Sequence, residues 1–467
     1  MSVYMRRGGS GGGAGSSFIN GIINSYKVAS GESVSAGDFV EFVSAGKSDL
    51  LTVQSDFTGS INSTIAINDT DVLVSYGSDL GTSSYLVVIR VKDNTITKGN
   101  AVYVTDSRVI DHLVKTTSGY IMAFSYVSNP TYGYISQRYA SIITISGMTV
   151  TIGTSTSLST STSSWLVPIA CDNDNIMLFY QSGGSYSSGI FYPQAAYKLA
   201  IIKATSSGFT TVVSAYAVSI SEDIARGVVY QDLGDGRVLI LPKSSSNYKM
   251  RILKCYNNSI TVGDVVDSSP VSSNYRFIKL NDTQLVAISG LTSASIVECN
   301  DVTPSILFTS ATNLANIMST TSLSASNFCY KLNANTVVAI ALQSGGSSNG
   351  SSGTHTYTPY EITFKVSFEE NLITATAADP MCDTVSISWS NITGAGGNFS
   401  IVGFEFLEDS CVTLFYYTSQ SSYGSSSSLR GIVSNPNPLV KSFDGTISGV
   451  ALEEGTAGDF INVCEPV

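Results

Sequence analysis

Four short apolar runs separated by polar turns recur along this chain seven times. The first copy is the plainest. Residues 64–67 lead into Asn68, Asp69, Thr70 and Asp71; residues 72–76 form a second run, 86–91 a third, and Asp93 and Asn94 turn the chain into 95–97. Second runs follow at 120–124, 176–180, 238–241, 285–288, 337–340 and 411–416, and third runs at 140–143, 199–202, 250–253 and 362–366. Runs of this length, rich in Val, Ile, Tyr and Thr and bounded by Asn, Asp, Gly and Ser, are strand signals. The third runs are apolar throughout, as strands covered on both faces must be. One four-stranded sheet cannot cover both of its own faces, whereas a closed ring of sheets covers them all and leaves no long free edge. The expected fold is therefore all-β: a seven-bladed β-propeller over residues 51–440. The fifth copy, near 275–310, is the weakest, and 367–398 has room for an additional hairpin. A sandwich or a β-solenoid is the alternative.

Composition supports this reading. Apolar residues are 43% of the chain and charged residues only 13%, so the polar surface is built from Ser, Thr, Asn and Gly. The net charge is −11 and basic residues are not clustered beyond Arg6 and Arg7, which argues against nucleic acid and anionic membrane as partners. A Gly/Ser run at 8–13 stands where a signal peptide would carry its apolar core, and no run approaches the roughly 18 residues of a membrane span. Synthesis in a cytoplasm without a signal peptide is expected. The seven cysteines are scattered with no CxxC pair, so buried reduced thiols are expected.

The two ends echo each other outside the repeat. Residues 35–42 (SAGDFVEF) match 456–463 (TAGDFINV), each a Gly-Asp turn feeding an alternating strand. One discontinuous, barrel-like β-module of 18–50 plus 441–467 is the economical reading, with Gly37, Asp38, Phe39, Gly458, Asp459 and Phe460 at its assembly turns. Residues 1–17 form a Gly/Ser arm, read either as disordered or as an assembly arm. The stretch 449–461 begins Gly-Val-Ala, continues through an acidic turn at Glu453 and Glu454, and closes on Ala457, Gly458 and Asp459. That order resembles the small β-modules of tailed-bacteriophage virion proteins, found in head-decoration proteins and in tail or baseplate fibres. The resemblance covers about 60 terminal residues. It implies docking on other virion proteins through the arm and the terminal module, in multiple copies per particle, with the propeller facing outward.

Four polar segments between second and third runs, 127–137, 181–194, 343–359 and 418–428, mix Tyr with Ser and Gly. Their aromatic residues Tyr132, Tyr134, Tyr186, Phe191, Tyr192, Tyr357 and Tyr423 are the candidate ligand contacts, because Tyr gives rigid amphipathic area while Ser and Gly adapt. The competing reading is solvated connections whose tyrosines pack back on the rim. Catalytic signals are weak. His112 lies in a strand-like run and His355 in a loop. Neither G-x-S-x-G nor HExxH occurs, and 442–446 (SFDGT) is a poor match to an aspartate box. Acids such as Asp232, Asp235, Glu408 and Asp409 read as turn residues. Asp172 and Asp174 offer calcium-type ligands, but ordinary turn chemistry accounts for them. The expectation is a non-enzymatic virion surface protein, with no catalytic or metal residues and no cofactor, that binds a host-surface glycan. The alternatives are a head-decoration protein without receptor binding and a propeller glycan hydrolase or lyase.

Overall fold

The computed structural model describes the chain apart from residues 1, 6–16, 30, 44–46, 56, 58, 78–82, 93, 106, 129–134, 159–165, 188–189, 219–227, 243–248, 272–274, 290–292, 312–322, 334, 349–352, 390–397, 408–409, 422–423, 435–438, 443–448, 457–459 and 467; for some further strand residues the description is of the backbone alone. Seven sheets form the blades of a propeller. In each blade the first strand pairs with the second and the second with the third, all antiparallel. The first strands are Ile61–Ala66, Val109–Lys115, Leu166–Ala170, Val228–Gly234, Arg276–Lys279, Leu323–Asn333 and Asn398–Phe406. Those of blades 1 and 2, 2 and 3, 4 and 5, 5 and 6, and 6 and 7 lie side by side, and that of blade 7 meets that of blade 1.

Strand alternation explains why the ring closes. Val72 and Val74 enter the core shared by blades 7 and 1, while Leu73 between them enters the core shared by blades 1 and 2. Met122 and Phe124 likewise face blade 3, and Ile121 and Ala123 face blade 1. The same division continues around the ring, giving a core at every seam. A period of two with both faces buried requires near-continuous apolar runs, and the second strand Asp71–Gly77 is buried along its whole length. The fifth copy is a complete four-stranded blade, Arg276 to Ala311. The room in 367–398 is taken up, among the described residues, by two strands of blade 6. Leu372–Pro380 is the fourth strand of blade 6, and Val385–Trp389 pairs with the upstream part of the third strand.

Blade 7 takes its outer strand from the other end of the chain: Leu51–Ser55 pairs with Gly424–Ser434. The ring is thereby fastened by hydrogen bonds between the beginning and the end of the propeller. Six of the strands beyond it share one sheet, in the order Ser2–Met5, Ser17–Lys27, Phe460–Pro466, Gly449–Ala451, Phe39–Val43 and Leu439–Ser442, and Ser33–Val34 pairs separately with Gly455–Thr456. The two ends of the chain thus meet in one sheet, and the pairing among the described residues does not extend to closure of the expected barrel. Leu439–Ser442 pairs with Phe39–Val43 in this sheet. Within the arm, Ser2–Met5 pairs with 17–20, and Val3 and Tyr4 suit a strand.

Candidate functional site on the propeller axis

Chain direction gives the propeller two unlike faces. First-to-second and third-to-fourth turns lie on one face, which is built of tight Asx turns. Asn68 Oδ1 accepts from the amides of Thr70 and Asp71, both at 2.9 Å, and Asn281 Oδ1 accepts from the Thr283 amide at 2.9 Å. The Asp174 carboxylate accepts from the Ser118 amide and the Thr116 hydroxyl, each at 2.8 Å, joining the turns of blades 2 and 3. Both junctions with the terminal sheet lie on this turn face. Gly424–Ser434 ends there, and Leu51, opposite Gly431, begins there. Lys47 bridges to Ser434, and its ammonium forms a 2.8 Å ion pair with Glu361 of blade 6. Ser434 donates to the same carboxylate at 2.7 Å and Tyr330 at 3.3 Å.

The opposite face carries the second-to-third connections, three of which differ from expectation. Instead of adaptable loops they are paired strands that extend the blade. Ser182 to Ser187 pairs with Ala196 to Ile190, Gln343 to Ser348 with Thr358 to Gly353, and Thr418 to Ser421 with Ser427 to Gly424. Tyr and Thr have strand propensity, and pairing provides partners for the backbone polar groups. Of the candidate ligand contacts, Tyr357 is only 9% exposed and packs on Phe399 with ring centroids 5.9 Å apart, in the core between blades 6 and 7. Tyr186 pairs with Phe191 and Ser185 with Tyr192 in the blade 3 extension, where only the backbone is described. Tyr132, Tyr134 and Tyr423 lie outside the described residues.

The assembly residues divide similarly. Gly37 sits at φ +94°, a left-handed conformation that favours glycine. Its amide donates to Ala451 O at 2.7 Å, and the Ala451 amide donates to Asp38 O at 2.9 Å. The Asp38 carboxylate closes its own turn on the Ser35 amide at 2.9 Å, and Phe39 is 42% exposed. Phe460 pairs with Lys27, while Gly458 and Asp459 lie outside the described residues.

The described chemistry concentrates on the axis. In blades 1, 2 and 7 the first strand skips one residue of pairing at equivalent levels, which leaves out Asn62, Asp111 and Val402. A bulge re-aims the extra residue and breaks the ladder locally. Two of these bulges, Asn62 and Val402, border a cavity of about 440 Å³ together with Ser63, Thr64, Phe328 and Gly403. A β-carbon on Gly403 would stand 3.3 Å from both Leu414 Cδ1 and Thr64 Cγ2, so this glycine keeps the wall open. Next to the cavity wall, the Thr64 hydroxyl donates to Glu405 Oε1 at 2.5 Å. Burial between blades 7 and 1 raises the Glu405 carboxyl to about 7, against the lowering effect of that hydrogen bond.

The third bulge holds the most polar group. Asp111 Oδ2 accepts from Arg138 NH1 at 2.8 Å, and Arg138 is 1% exposed. The Arg138 guanidinium also lies 5.5 Å from the Tyr126 ring centroid. His112 Nε2 is 3.9 Å from the same carboxylate oxygen. Burial lowers the imidazole pKa against the raising effect of Asp111. Asp111 Oδ1 is buried and has no hydrogen-bond partner. Tyr230 lies on the first strand of blade 4. Enclosure by protein raises its phenol, and the Asp111 and Asp232 charges add to the rise. The residue is nevertheless 39% exposed to solvent.

Sequence reasoning overlooked Asp111, Glu405 and Tyr230. The available signal was an acid inside an apolar run, VIDHLV at 109–114 and IVGFEF at 401–406. Asp232 was read as a turn residue, but it lies in a first strand, where burial raises its carboxyl. Cys171, Cys255, Cys299 and Cys411 are buried free thiols, in line with expectation, and Cys329 and Cys382 are half-buried. Burial raises Cys299 and Cys329 to about 12 and Cys382 to about 11.

No family model and no curated protein matches the chain. Solved structures that resemble it are propeller proteins. A putative 6-phosphogluconolactonase from Bacteroides uniformis is 10% identical, covers 77% of this chain and 95% of its own, and superposes with a TM-score of 0.40. Sqt1 from Chaetomium thermophilum is 10% identical, with 91% and 98% covered and a TM-score of 0.41. The WD40 propeller domain of Doa1 is 10% identical, with 84% and 97% covered and a TM-score of 0.38.

Proposed function

We propose that this protein is a non-enzymatic recognition protein, held on a larger assembly by the sheet made from its two ends and presenting the opposite propeller face to a saccharide-bearing surface. The observation that carries the reading is the polarity of the chain. Both junctions with the terminal sheet leave from the turn face, while the extended hairpins of blades 3, 6 and 7 project from the other. A protein anchored at one end and displaying at the other gains avidity when many copies share a particle. The assembly favoured by the terminal-sequence resemblance is a tailed-phage virion, with the protein acting in host attachment. The axial cavity and the hairpin tips are then its recognition surfaces.

Incubation of the purified protein with host-wall polysaccharide tests this. Retention of the polymer with its chain length unchanged is the expected result. Shortening of the chains would make the protein a hydrolase or lyase, and absence of retention would leave a decoration protein without receptor binding.

A further inference from the structure

Three consecutive blades interrupt the pairing of their innermost strands around one space. Asn62 in blade 1 and Val402 in blade 7 are each left out of the ladder, and in blade 6 Ser326, Asn327 and Phe328 stand opposite the single residue Ile340. The first strands of blades 6 and 7, and of 7 and 1, lie side by side, and the cavity of about 440 Å³ opens among them. That volume falls within the roughly 300–1,000 Å³ usual for small-ligand sites. Apart from the buried Gly403, the residues around it are half-buried, so solvent reaches them.

The walls are unlike. Asn62, Ser63 and Thr64 come from blade 1, whereas Phe328, Ile401 and Val402 come from blades 6 and 7. Ser63 Oγ accepts from the Leu113 amide at 3.1 Å, and the Thr64 hydroxyl is engaged by Glu405. Asn62 is held more loosely: its Nδ2 donates to Ser84 Oγ at 3.4 Å, and its Oδ1 accepts from Ser60 Oγ at 3.5 Å. A primary amide has two N–H donors and two lone pairs, so Asn62 keeps capacity for a ligand. Bulging adds backbone polar groups that have left the ladder. Among the described residues, no charged side chain lines the space.

We propose that this cavity binds an uncharged saccharide, with its hydroxyls bonded to the Asn62 amide and the bulged backbone and its C–H face against Phe328. This deepens the recognition function and rests on it. The class of ligand follows from the walls. A charged ligand would give up its hydration with no opposite charge to meet it. An entirely apolar one would cover the Asn62 amide and the unladdered backbone without offering them a partner. A sugar has a hydroxylated rim and an apolar face, which suits one polar and one aromatic wall.

Isothermal titration calorimetry of the full chain tests the assignment, with methyl glucoside, methyl galactoside and N-acetylglucosamine as neutral probes, glucuronic acid as the charged one and indole as the apolar one. At least one neutral sugar is expected to bind, and glucuronic acid and indole at least tenfold more weakly. N62A and F328A should each weaken that sugar about tenfold or more. Y256A is the control, because Tyr256 is 57% exposed beside the turn-face turn of blade 4, away from cavity and hairpins; it should change affinity less than twofold. Hydrogen exchange of the unaltered protein gives a second readout independent of any variant: saturating sugar should slow exchange in 61–64 and 401–403 and leave 253–259 unchanged. The proposal would be overturned if no neutral sugar bound, if glucuronic acid or indole bound as well, if folded N62A and F328A kept full affinity, or if 61–64 and 401–403 gained no protection. Host-wall polysaccharide retention that survives N62A and F328A would sink the cavity alone and leave recognition to the hairpins, whereas no retention by the parent would sink the recognition function itself.

Discussion

The ion pair between Lys47 and Glu361 lies where the chain passes from the terminal sheet into the ring, and its removal has a calculable consequence. Glu361 is 7% exposed as a residue, and its side chain is shared among the Lys47 ammonium, the Ser434 hydroxyl and the Tyr330 phenol. Lys47 also donates to Pro380 O at 3.3 Å. Replacing Lys47 with Met removes the compensating charge and leaves an anion held by two neutral donors. Breaking a buried pair from one side costs about 3–5 kcal/mol. Since Lys47 keeps 25% side-chain exposure, water partly replaces it, and about 2–3 kcal/mol is the better figure for K47M. The double variant K47M/E361Q removes both charges and keeps an acceptor for Ser434, so it should lie within about 1 kcal/mol of the parent. Urea unfolding followed by far-ultraviolet circular dichroism measures each variant, and the cycle isolates the coupling. The reasoning would be refuted if K47M cost under about 0.5 kcal/mol, or as little as the double variant; the pair would then be solvated and the clasp idle.

Other consequences follow from single positions. Glu405 carries a folded-state pKa near 7, above the ordinary 4.5, so the folded protein holds its proton more tightly than the unfolded chain. That contribution is fully present below about pH 4.5 and is lost as pH rises toward 7, roughly 3 kcal/mol in all. E405Q should therefore stabilise the protein at pH 8 and change little at pH 5, as read by thermal melts; an equal effect at both would show that the carboxyl is solvated. Gly263 separates blades 4 and 5 so closely that a β-carbon would sit 2.2 Å from Val302 O and 3.0 Å from Ile252 O, both backbone atoms. G263A should cost about 2–4 kcal/mol in urea unfolding, and a neutral result would contradict the packing of that seam. The thiols of Cys299 and Cys411, both buried, should resist Ellman's reagent in the native protein, with the half-buried Cys382 reacting sooner. Rapid native reaction of Cys411 would place the blade 7 core in solvent.

The ring was legible because its physical cause is local. Covering both faces of a strand demands apolar residues at successive positions, and runs such as 72–76 and 285–288 show that demand directly. Closure was less legible. Leu51–Ser55 is a short polar-apolar stretch that could pair anywhere, and only the ring geometry brings it beside residues 428–431. The polar hairpins misled for a related reason. Ser, Gly and Tyr at 181–194 and 343–359 read as loops by composition, yet antiparallel register carries each second strand past the core. The axial chemistry was the least accessible. Whether Asp111 turns toward the axis depends on a bulge in the pairing with Ile121–Ser128, and register of that kind is a tertiary property. Tyr357, selected for its loop-like surroundings, is buried because its strand continues through them.

The polarity of the molecule underlies the functional proposal, and an electron-microscopic map of the protein on its native assembly measures it most directly. The account predicts that the sheet containing Phe39–Val43 and Phe460–Pro466 is buried against neighbouring subunits, with the strand ends where Ser187 pairs with Ile190 and Ser348 with Gly353 facing outward. A map in which those hairpins are buried and the terminal sheet stands free in solvent would contradict it.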